Sequence, residues 1–217
     1  MEKEVQVQGG DNCLKYHFEN RYLSKRIEFI EEYNFVNDKI NFGYFKSFIL
    51  DFEITNNDWY NTLIIALADQ LNIVDRKLYL KYLNYLNLKK NYLFRLSVLD
   101  YFVNNFLFYK KMYKSVDFDL VKTDRSRLIV KNQIIINNLI FFPKNRDMYI
   151  GELLESLEKT DDYRSHIRLF NYIINFELEK IINEKELKSL IGISKKKKLG
   201  RAVDLKILEF NDYLSIK

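Results

Sequence analysis

The sequence predicts an all-α protein of about ten helices, and two observations support that prediction. The 217-residue chain contains only one Pro and six Gly, whereas sheets and irregular loops usually need more of both as turn residues. Apolar residues recur at spacings of three and four, which place them on one face of a helix. The chain is 47% hydrophobic, with 17 Phe and 16 Tyr, so it can bury a large core and is not expected to be disordered.

The helix with the clearest pattern spans Asn91–Asn104. Tyr92, Leu96, Leu99 and Val103 form one stripe, because they are separated by 4, 3 and 4 residues. The first residue of the segment stands at the N-cap position, where its side-chain oxygen can accept a backbone N–H of the first turn. Further Leu and Phe residues widen the apolar surface, so we expect neighbouring helices on both flanks.

Four helices are predicted before this one. The first runs from Leu14 to about Tyr33, and the second covers Ile40–Phe52. The third opens at Asp58 after a polar loop. The fourth opens at Asp75, and its apolar residues lie four apart.

After the central helix, the polar stretch Lys110–Thr123 is predicted to be a long connection with at most one helical turn. A helix then opens at Asp124 and ends by Pro143, which cannot continue it. Asp147–Lys159 forms a short helix that turns into another one opening at Asp162. These two segments are predicted to form a helix pair.

Two more helices are predicted at the C-terminal end. Asn183 and Glu186 have capping-box spacing before an apolar run, and Gly192 is expected to stop that helix. Ser194 then caps a last helix, which runs to about Phe210.

Four segments resemble one another, and the spacing of their starts indicates a repeat. They begin at Asp58, Asn91, Asp124 and Asp162, so the steps are 33, 33 and 38 residues. A period of about 30–47 residues with two helices per unit is typical of helical solenoids. The stripe of the first copy starts at Trp59, and the third copy is the weakest, because Lys131 and Asn132 interrupt its apolar run. Three copies also place an Asn 13 residues after the start, and we expect Asn104, Asn137 and Asn175 to bridge neighbouring units.

The order of residue types in these segments resembles the HEAT repeat. An Asp or Asn is followed by an Arg and then by apolar pairs. The pattern is clearest in Asn91, Arg95, Val98, Leu99 and Phe102, and a cruder form is Asp124, Arg127 and Val130. In the Asp162 copy His166 replaces the Arg. The resemblance covers roughly residues 57–182. It implies an α-solenoid of stacked antiparallel helix pairs that acts by binding, and it implies no catalytic residue.

The chain is predicted to consist of a flexible stretch, residues 1–12, and a single helical repeat domain, residues 13–217. The lone Cys13 excludes an internal disulfide and fits a reducing compartment. No apolar signal segment and no run of about 18 apolar residues is present. We therefore expect a cytoplasmic protein without a membrane segment.

The sequence contains no complete catalytic constellation, so the protein is not predicted to be an enzyme. The two histidines, His17 and His166, have no Cys or carboxylate at ligand spacing, so neither a metal nor another cofactor is predicted. Ser194 and Lys197 match the Ser-x-x-Lys spacing of serine acyl enzymes, but the partner motifs are absent. No phosphate-binding glycine-rich loop is found.

Two sets of cations are the candidate partner-binding residues. The second helices of a solenoid often line its concave face, which nominates Arg95, Arg127, Lys131, Arg164 and Arg168. The other set is the run Lys195, Lys196, Lys197 and Lys198. Within the predicted last helix this run falls in the first turn, where its charge opposes the helix dipole and an anionic partner would relieve the conflict. The alternative interpretation is that both sets are ordinary solvated charges, and for both sets it is the preferred one.

The repeat pattern predicts a non-enzymatic scaffold that binds a protein on its concave face. A bacterial immunity protein that blocks a toxin, or an adaptor, fits this description. The alternative is a nucleic-acid-binding HEAT-like protein, including one with a DNA glycosylase-like role. Its support is the net charge of +5, and Trp59 lacks a clear acidic companion for glycosylase chemistry. A structural role in a homo-oligomer is left open.

Overall fold

A computed structural model describes residues 17–18, 21–35, 37–88, 91–112 and 125–216, and at 87–88 and 125–127 it describes the backbone alone. Within these ranges the protein has eleven α-helices with described bounds, two 3-10 turns and no strand, which confirms the all-α prediction. The helices are α1 (Leu23–Glu32), α2 (Phe42–Asp51), α3 (Asp58–Gln70), α4 (Arg76–Leu88), α5 (Tyr92–Asn104), α6 (Phe106–Tyr109), α7 (Arg125–Phe141), α8 (Arg146–Lys159), α9 (Tyr163–Asn175), α10 (Glu184–Lys196) and α11 (Arg201–Ile216). The 3-10 turns are Pro143–Asn145 and Leu178–Lys180.

Some predictions fall on residues outside these ranges: the flexible stretch 1–12, Cys13, the N-cap Asp124 and most of the connection Lys110–Thr123. Among the helices that are described, none is both long enough and apolar enough to cross a membrane.

The contacts divide the chain into two compact units, Met1–Asn105 and Phe106–Lys217. Unit 1 contains α1 to α5, and unit 2 contains α6 to α11. The prediction of a single repeat domain over residues 13–217 is not tested by this division and stays a prediction.

Alternate helices pack side by side in unit 1. The most extensive contact joins α3 to α5, while α1 and α2 also pack on α3 and α4 packs on α5. Close to the C-terminal ends of α3 and α5, the carboxylate of Asp69 accepts hydrogen bonds from the side-chain amides of Asn104 and Asn105, at 2.6 and 2.9 Å. The two helices therefore run in the same direction, and Asn104 joins them.

The end of α2 is held by a lysine from α4. Lys81 Nζ donates to the carbonyl oxygens of Leu50 and Phe52, at 2.9 and 2.6 Å. Carbonyls at a helix end lack intrahelical partners, so this side chain satisfies two of them. Burial lowers the pKa of Lys81 from its usual value.

Unit 2 shows the same alternation. Helix α7 packs on α8 and α9, α9 packs on α11, and α8 packs on α10. At the start of α8, Arg146 Nε donates to the carbonyl of Ile181 at 2.8 Å, and its guanidinium pairs with Glu186 in the first turn of α10. Helices α8 and α10 therefore begin at the same end of the unit. Phe170 of α9 and Phe210 of α11 lie with ring centres 5.0 Å apart.

Three predicted helix starts are confirmed by their caps. Asn91 and Asp162 accept first-turn N–H groups with their side chains, and Asn183 forms the complete capping box with Glu186. In α3 the cap is Asn57, whose Oδ1 accepts a first-turn N–H at 2.9 Å. Local hydrogen bonding by Asn and Asp therefore determines where these helices begin.

The predicted boundary between the last two helices is wrong. Helix α10 continues through Gly192 to Lys196, and Ser194 is buried inside it with Oγ donating to the carbonyl of Leu190 at 3.0 Å. An internal Gly costs only about 1 kcal/mol relative to Ala, which the burial of the apolar face of α10 can outweigh. The last helix, α11, starts at Arg201 and extends beyond the predicted end at Phe210 to Ile216.

Candidate binding site

Two predicted cations, Arg164 and Arg168, lie on α9 and are both engaged by polar neighbours. Arg164 Nε and Nη2 donate to the two carboxylate oxygens of Asp162 at 2.9 and 2.8 Å. Arg168 Nε and Nη2 donate to Oε1 of the buried Gln133 at 3.1 and 2.8 Å, and its guanidinium lies 5.7 Å from the ring centre of Tyr172. These contacts hold both guanidinium groups in place, which reduces their availability to a partner.

The other cations of this set are placed differently. Arg95 of unit 1 is only 7% exposed, so its predicted surface position is wrong. The cause is that α5 buries eight of its thirteen residues and Arg95 falls on the buried part of its circumference. In unit 2, Lys131 is half-buried and its charge acts on Glu155 of α8. The side chain of Arg127 lies outside the described residues.

The Lys195–Lys198 run lies at the C-terminal end of α10 and not in the first turn of a new helix. Lys195 and Lys196 belong to the last turn, and Lys198 follows it with a left-handed φ of 50°. Cations near a helix C-terminus interact favourably with the helix dipole. The predicted electrostatic conflict is therefore absent, because α10 does not end at Gly192.

An exposed cationic turn connects α10 and α11, and we define it as Lys195, Lys196, Lys198 and Arg201. All four side chains are exposed, and no carboxylate in the described part of the chain pairs with any of them. Some exposed lysines elsewhere are paired, as Lys188 is with Glu184 one turn away. Four unpaired positive charges close together create a local positive potential.

A groove of about 460 Å³ adjoins the cationic turn. It is lined by Glu158, Asp161, Ile193, Lys196 and Lys197. Lys197 Nζ donates to Asp161 Oδ1 at 2.8 Å and thereby ties the end of α10 to the loop before α9. Carboxylates, ammonium groups and an apolar side chain thus face the same space, whose volume lies within the range of ligand-binding clefts.

A buried Ser–His pair lies next to this groove. His166 Nδ1 lies 2.8 Å from Ser194 Oγ, and the two side chains are 0% and 1% exposed. Burial is the main cause that lowers the pKa of His166, and the nearby Lys197 acts in the same direction. Sequence reasoning does not find this pair, because it assigns Ser194 to an N-cap. The spacing of Ser194 from Leu190 is the pattern that indicates the buried stripe of α10 instead.

The chemical environment of Ser194 differs from that of an activated nucleophile. Such a serine needs a base within hydrogen-bond reach and a substrate that can approach it. The His166 distance meets the first requirement, but both side chains are buried. Lys197, the lysine of the Ser-x-x-Lys spacing, binds Asp161. The described geometry therefore fits a polar contact that joins α9 to α10.

No group of three or more His, Cys, Asp or Glu side chains that could hold a metal ion is found in the described ranges. Comparison with known proteins identifies no relative: no family model matches the chain, and no curated protein or solved structure is significantly similar to it.

Proposed function

We propose that this protein is a non-enzymatic scaffold that binds another protein through the cationic turn and the adjoining groove. The observation that supports this most directly is that the four cations of the turn are exposed and form no ion pair in the described part of the chain. Cations that are not neutralised within their own chain remain available for complementary charges on a partner.

The packing of alternate helices supports a HEAT-like arrangement for this scaffold. In unit 2, α7 packs on α9, α9 on α11 and α8 on α10, which is the order expected for stacked antiparallel pairs. Proteins that this pattern resembles act mostly by binding. The roles we propose are an immunity protein that blocks a toxin, or an adaptor.

The charges of the groove favour a protein partner over a nucleic acid. Glu158 and Asp161 line the same space as Lys196, and Ile193 adds an apolar contact. The carboxylate of Glu158 would repel a phosphate backbone, whereas the charge of Asp161 is offset by Lys197. A protein surface can present acidic groups to the cationic turn and basic or apolar groups to the groove.

A pair of variants with equal net charge tests this proposal. The turn variant, K195Q/K196Q/K198Q/R201Q, removes the four unpaired cations. The control, K25Q/K159Q/K180Q/K188Q, removes four exposed lysines that each pair with a nearby Glu. Each variant has a net charge of +1, since +5 − 4 = +1.

Affinity capture from source cells is the measurement. We expect the wild-type protein and the control to retain the same stoichiometric protein, and the turn variant to lose at least about tenfold in affinity for it. Recovery of nucleic acid alone, or equal retention by the two variants, would contradict the proposal.

The second candidate function is nucleic-acid binding, and the clustering of unpaired cations on one turn favours it. A fluorescence titration with duplex DNA at low and raised salt tests it. Each lost phosphate contact reduces the slope of log K against log salt by about 0.9, so the turn variant should lower that slope and the control should not. Affinity that is absent, or that does not fall with salt, would remove this candidate.

A further inference from the structure

We propose that the His166–Ser194 contact is an acid-sensitive latch, and that protonation of His166 loosens the last turn of α10 and weakens partner binding at the cationic turn. The effect on binding rests on the proposed function. The latch itself is a property of unit 2.

The hydrogen bonds around Ser194 determine which nitrogen of His166 carries the proton. Ser194 Oγ donates its single proton to the carbonyl of Leu190 at 3.0 Å. The imidazole Nδ1, 2.8 Å from the same oxygen, must then be the donor. This leaves Nε2 unprotonated, and it has no hydrogen-bond partner in the described part of the chain.

A second proton would therefore enter an unfavourable environment. It would create a charged N–H at Nε2 on a side chain that is 0% exposed. The Thr160 backbone compensates only part of the cost of burying that charge. Opening the contact between α9 and α10 lets water reach the imidazolium. The protonated state thus favours the opened form.

The surrounding charges act in both directions. Lys197, which follows α10, opposes a positive imidazole, whereas the backbone of Thr160 and the carboxylates of Asp161 and Asp162 in the loop before α9 favour it. Burial is the largest cause, and the net result is a pKa below the usual value of 6.5. The contribution of the neutral His166 to the free energy of unfolding is therefore fully present above pH 6.5. It falls as the pH drops below 6.5 and becomes constant below the lowered pKa.

The latch lies where it can alter the groove. Ser194 follows Ile193 in the chain, and Ile193 lines the groove together with Asp161 and Lys197. The Lys197–Asp161 ion pair spans the same two segments that the His166–Ser194 contact joins. Loosening this end of α10 displaces both the groove wall and the first residues of the cationic turn.

Amide hydrogen exchange on the full chain tests the latch without any partner. We expect the protection factors of residues 193–197 to fall by up to about tenfold per pH unit below pH 6.5, until His166 is fully protonated. The chain has only two histidines, so His17→Asn is the matched control and should show the same fall. His166→Asn keeps a polar group near the Nδ1 position, and its protection factors should be nearly constant.

Wild-type protein alone also decides the question if His166→Asn does not fold. An imidazole resonance of His166 that titrates at or above pH 6.5 would overturn the proposal, as would protection of residues 193–197 that is constant with pH. If residues 193–197 lose protection at low pH but no protein partner is captured, the latch is supported and the proposed function is contradicted. If residues 193–197 lose protection at low pH but the amount of captured partner does not change with pH, the proposed effect on binding is contradicted.

Discussion

The carboxylate of Asp162 has two roles at the start of α9. It accepts the backbone N–H of Arg164 at 3.0 Å as an N-cap, and it also binds the Arg164 guanidinium. Partial burial favours the neutral acid, but the hydrogen bonds from Arg164 outweigh it, so the pKa of Asp162 is lowered. The N-cap follows from the sequence, because an Asp before an apolar run is a local pattern. The bidentate contact with Arg164 depends on the side-chain conformations in the folded protein.

Two substitutions separate these roles. Asp162→Ala loses the cap and the ion pair, and we expect it to cost about 1–2 kcal/mol in the free energy of unfolding. Asp162→Asn keeps an N-capping oxygen and loses the charge, at a cost of less than about 1 kcal/mol, because Arg164 is partly exposed. Urea denaturation measures both.

The pH dependence of Asp162→Asn follows from the lowered pKa. The stability that the charged carboxylate contributes is present above its unfolded pKa, near 3.8, and is lost as the pH falls through the lower folded value. The wild-type protein should therefore exceed Asp162→Asn in stability at neutral pH and lose that advantage in strong acid. A difference that grows with acidification would contradict this assignment.

Glu177 adopts a left-handed conformation, with φ of 50°, just after α9. Such a conformation costs a non-glycine residue about 1–2 kcal/mol. Gly avoids this strain, but it loses more conformational freedom on folding, which cancels part of the gain. We expect Glu177→Gly to raise the free energy of unfolding by up to about 1 kcal/mol, and therefore to raise the melting temperature. Glu177→Ala is the control, since it also loses the exposed contact to Lys180 but keeps the strain.

At the scale of elements, the C-terminal end of α2 depends on a helix from elsewhere in unit 1. Lys81 reaches two carbonyls that no residue of α2 can satisfy. Nothing in the pattern around Lys81 predicts this contact, because it joins residues about 30 positions apart. Local capping is predictable from sequence, whereas capping by a packed neighbour is not.

Substitution of Lys81 tests this contact. Lys81→Met keeps most of the apolar stem and removes the donor, so two partly buried carbonyls lose a charged hydrogen bond. We expect a loss of about 1.5–3 kcal/mol in the free energy of unfolding. The control is Lys77→Met, one turn earlier on α4, where the exposed side chain should contribute less than about 0.5 kcal/mol. Equal losses in the two variants would show that the Lys81 contact contributes nothing specific.

Helix α10 shows how an element boundary can be misplaced from sequence. Gly192 and the lysines after it indicate a break, but the helix continues because Leu190 and Ser194 lie on its buried face. Tertiary packing outweighs the modest propensity cost of one Gly. Because the predicted boundary comes too early, the lysine run is assigned to the first turn of the next helix. Its interaction with the helix dipole is therefore predicted to be unfavourable, whereas at the C-terminal end of α10 it is favourable.

For the whole molecule, the charge distribution can be tested without a partner. Although the turn variant and its control share a net charge of +1, only the first loses the clustered unpaired cations. Because binding to an anionic matrix depends on local potential as well as on net charge, we expect the turn variant to elute from a cation-exchange column at lower salt than the control. Elution of both variants at the same salt concentration would show that the cationic turn creates no stronger local positive potential than four dispersed lysines do.

The described structure identifies no repeat, so for the whole molecule the repeat stays a prediction. The second stripe residue of three copies, which is Leu63, Leu96 or Ile167, is half-buried, buried and half-buried respectively. In the Asn column, Asn104 bridges two helices, and Asn137 accepts a hydrogen bond from Gln133. Burial at one stripe position is common among packed helices, so these positions alone do not identify a repeat.

The sequence by itself determined the all-α class, the approximate positions of most helices and three of their caps. Those features depend on residue spacing, on the scarcity of Pro and Gly, and on hydrogen bonds within a few residues. Only the tertiary structure decided that Arg95 is buried, that His166 and Ser194 meet, and that alternate helices lie side by side. The physical reason is that these features depend on contacts between residues far apart in the chain, and a local pattern carries no information about which faces meet.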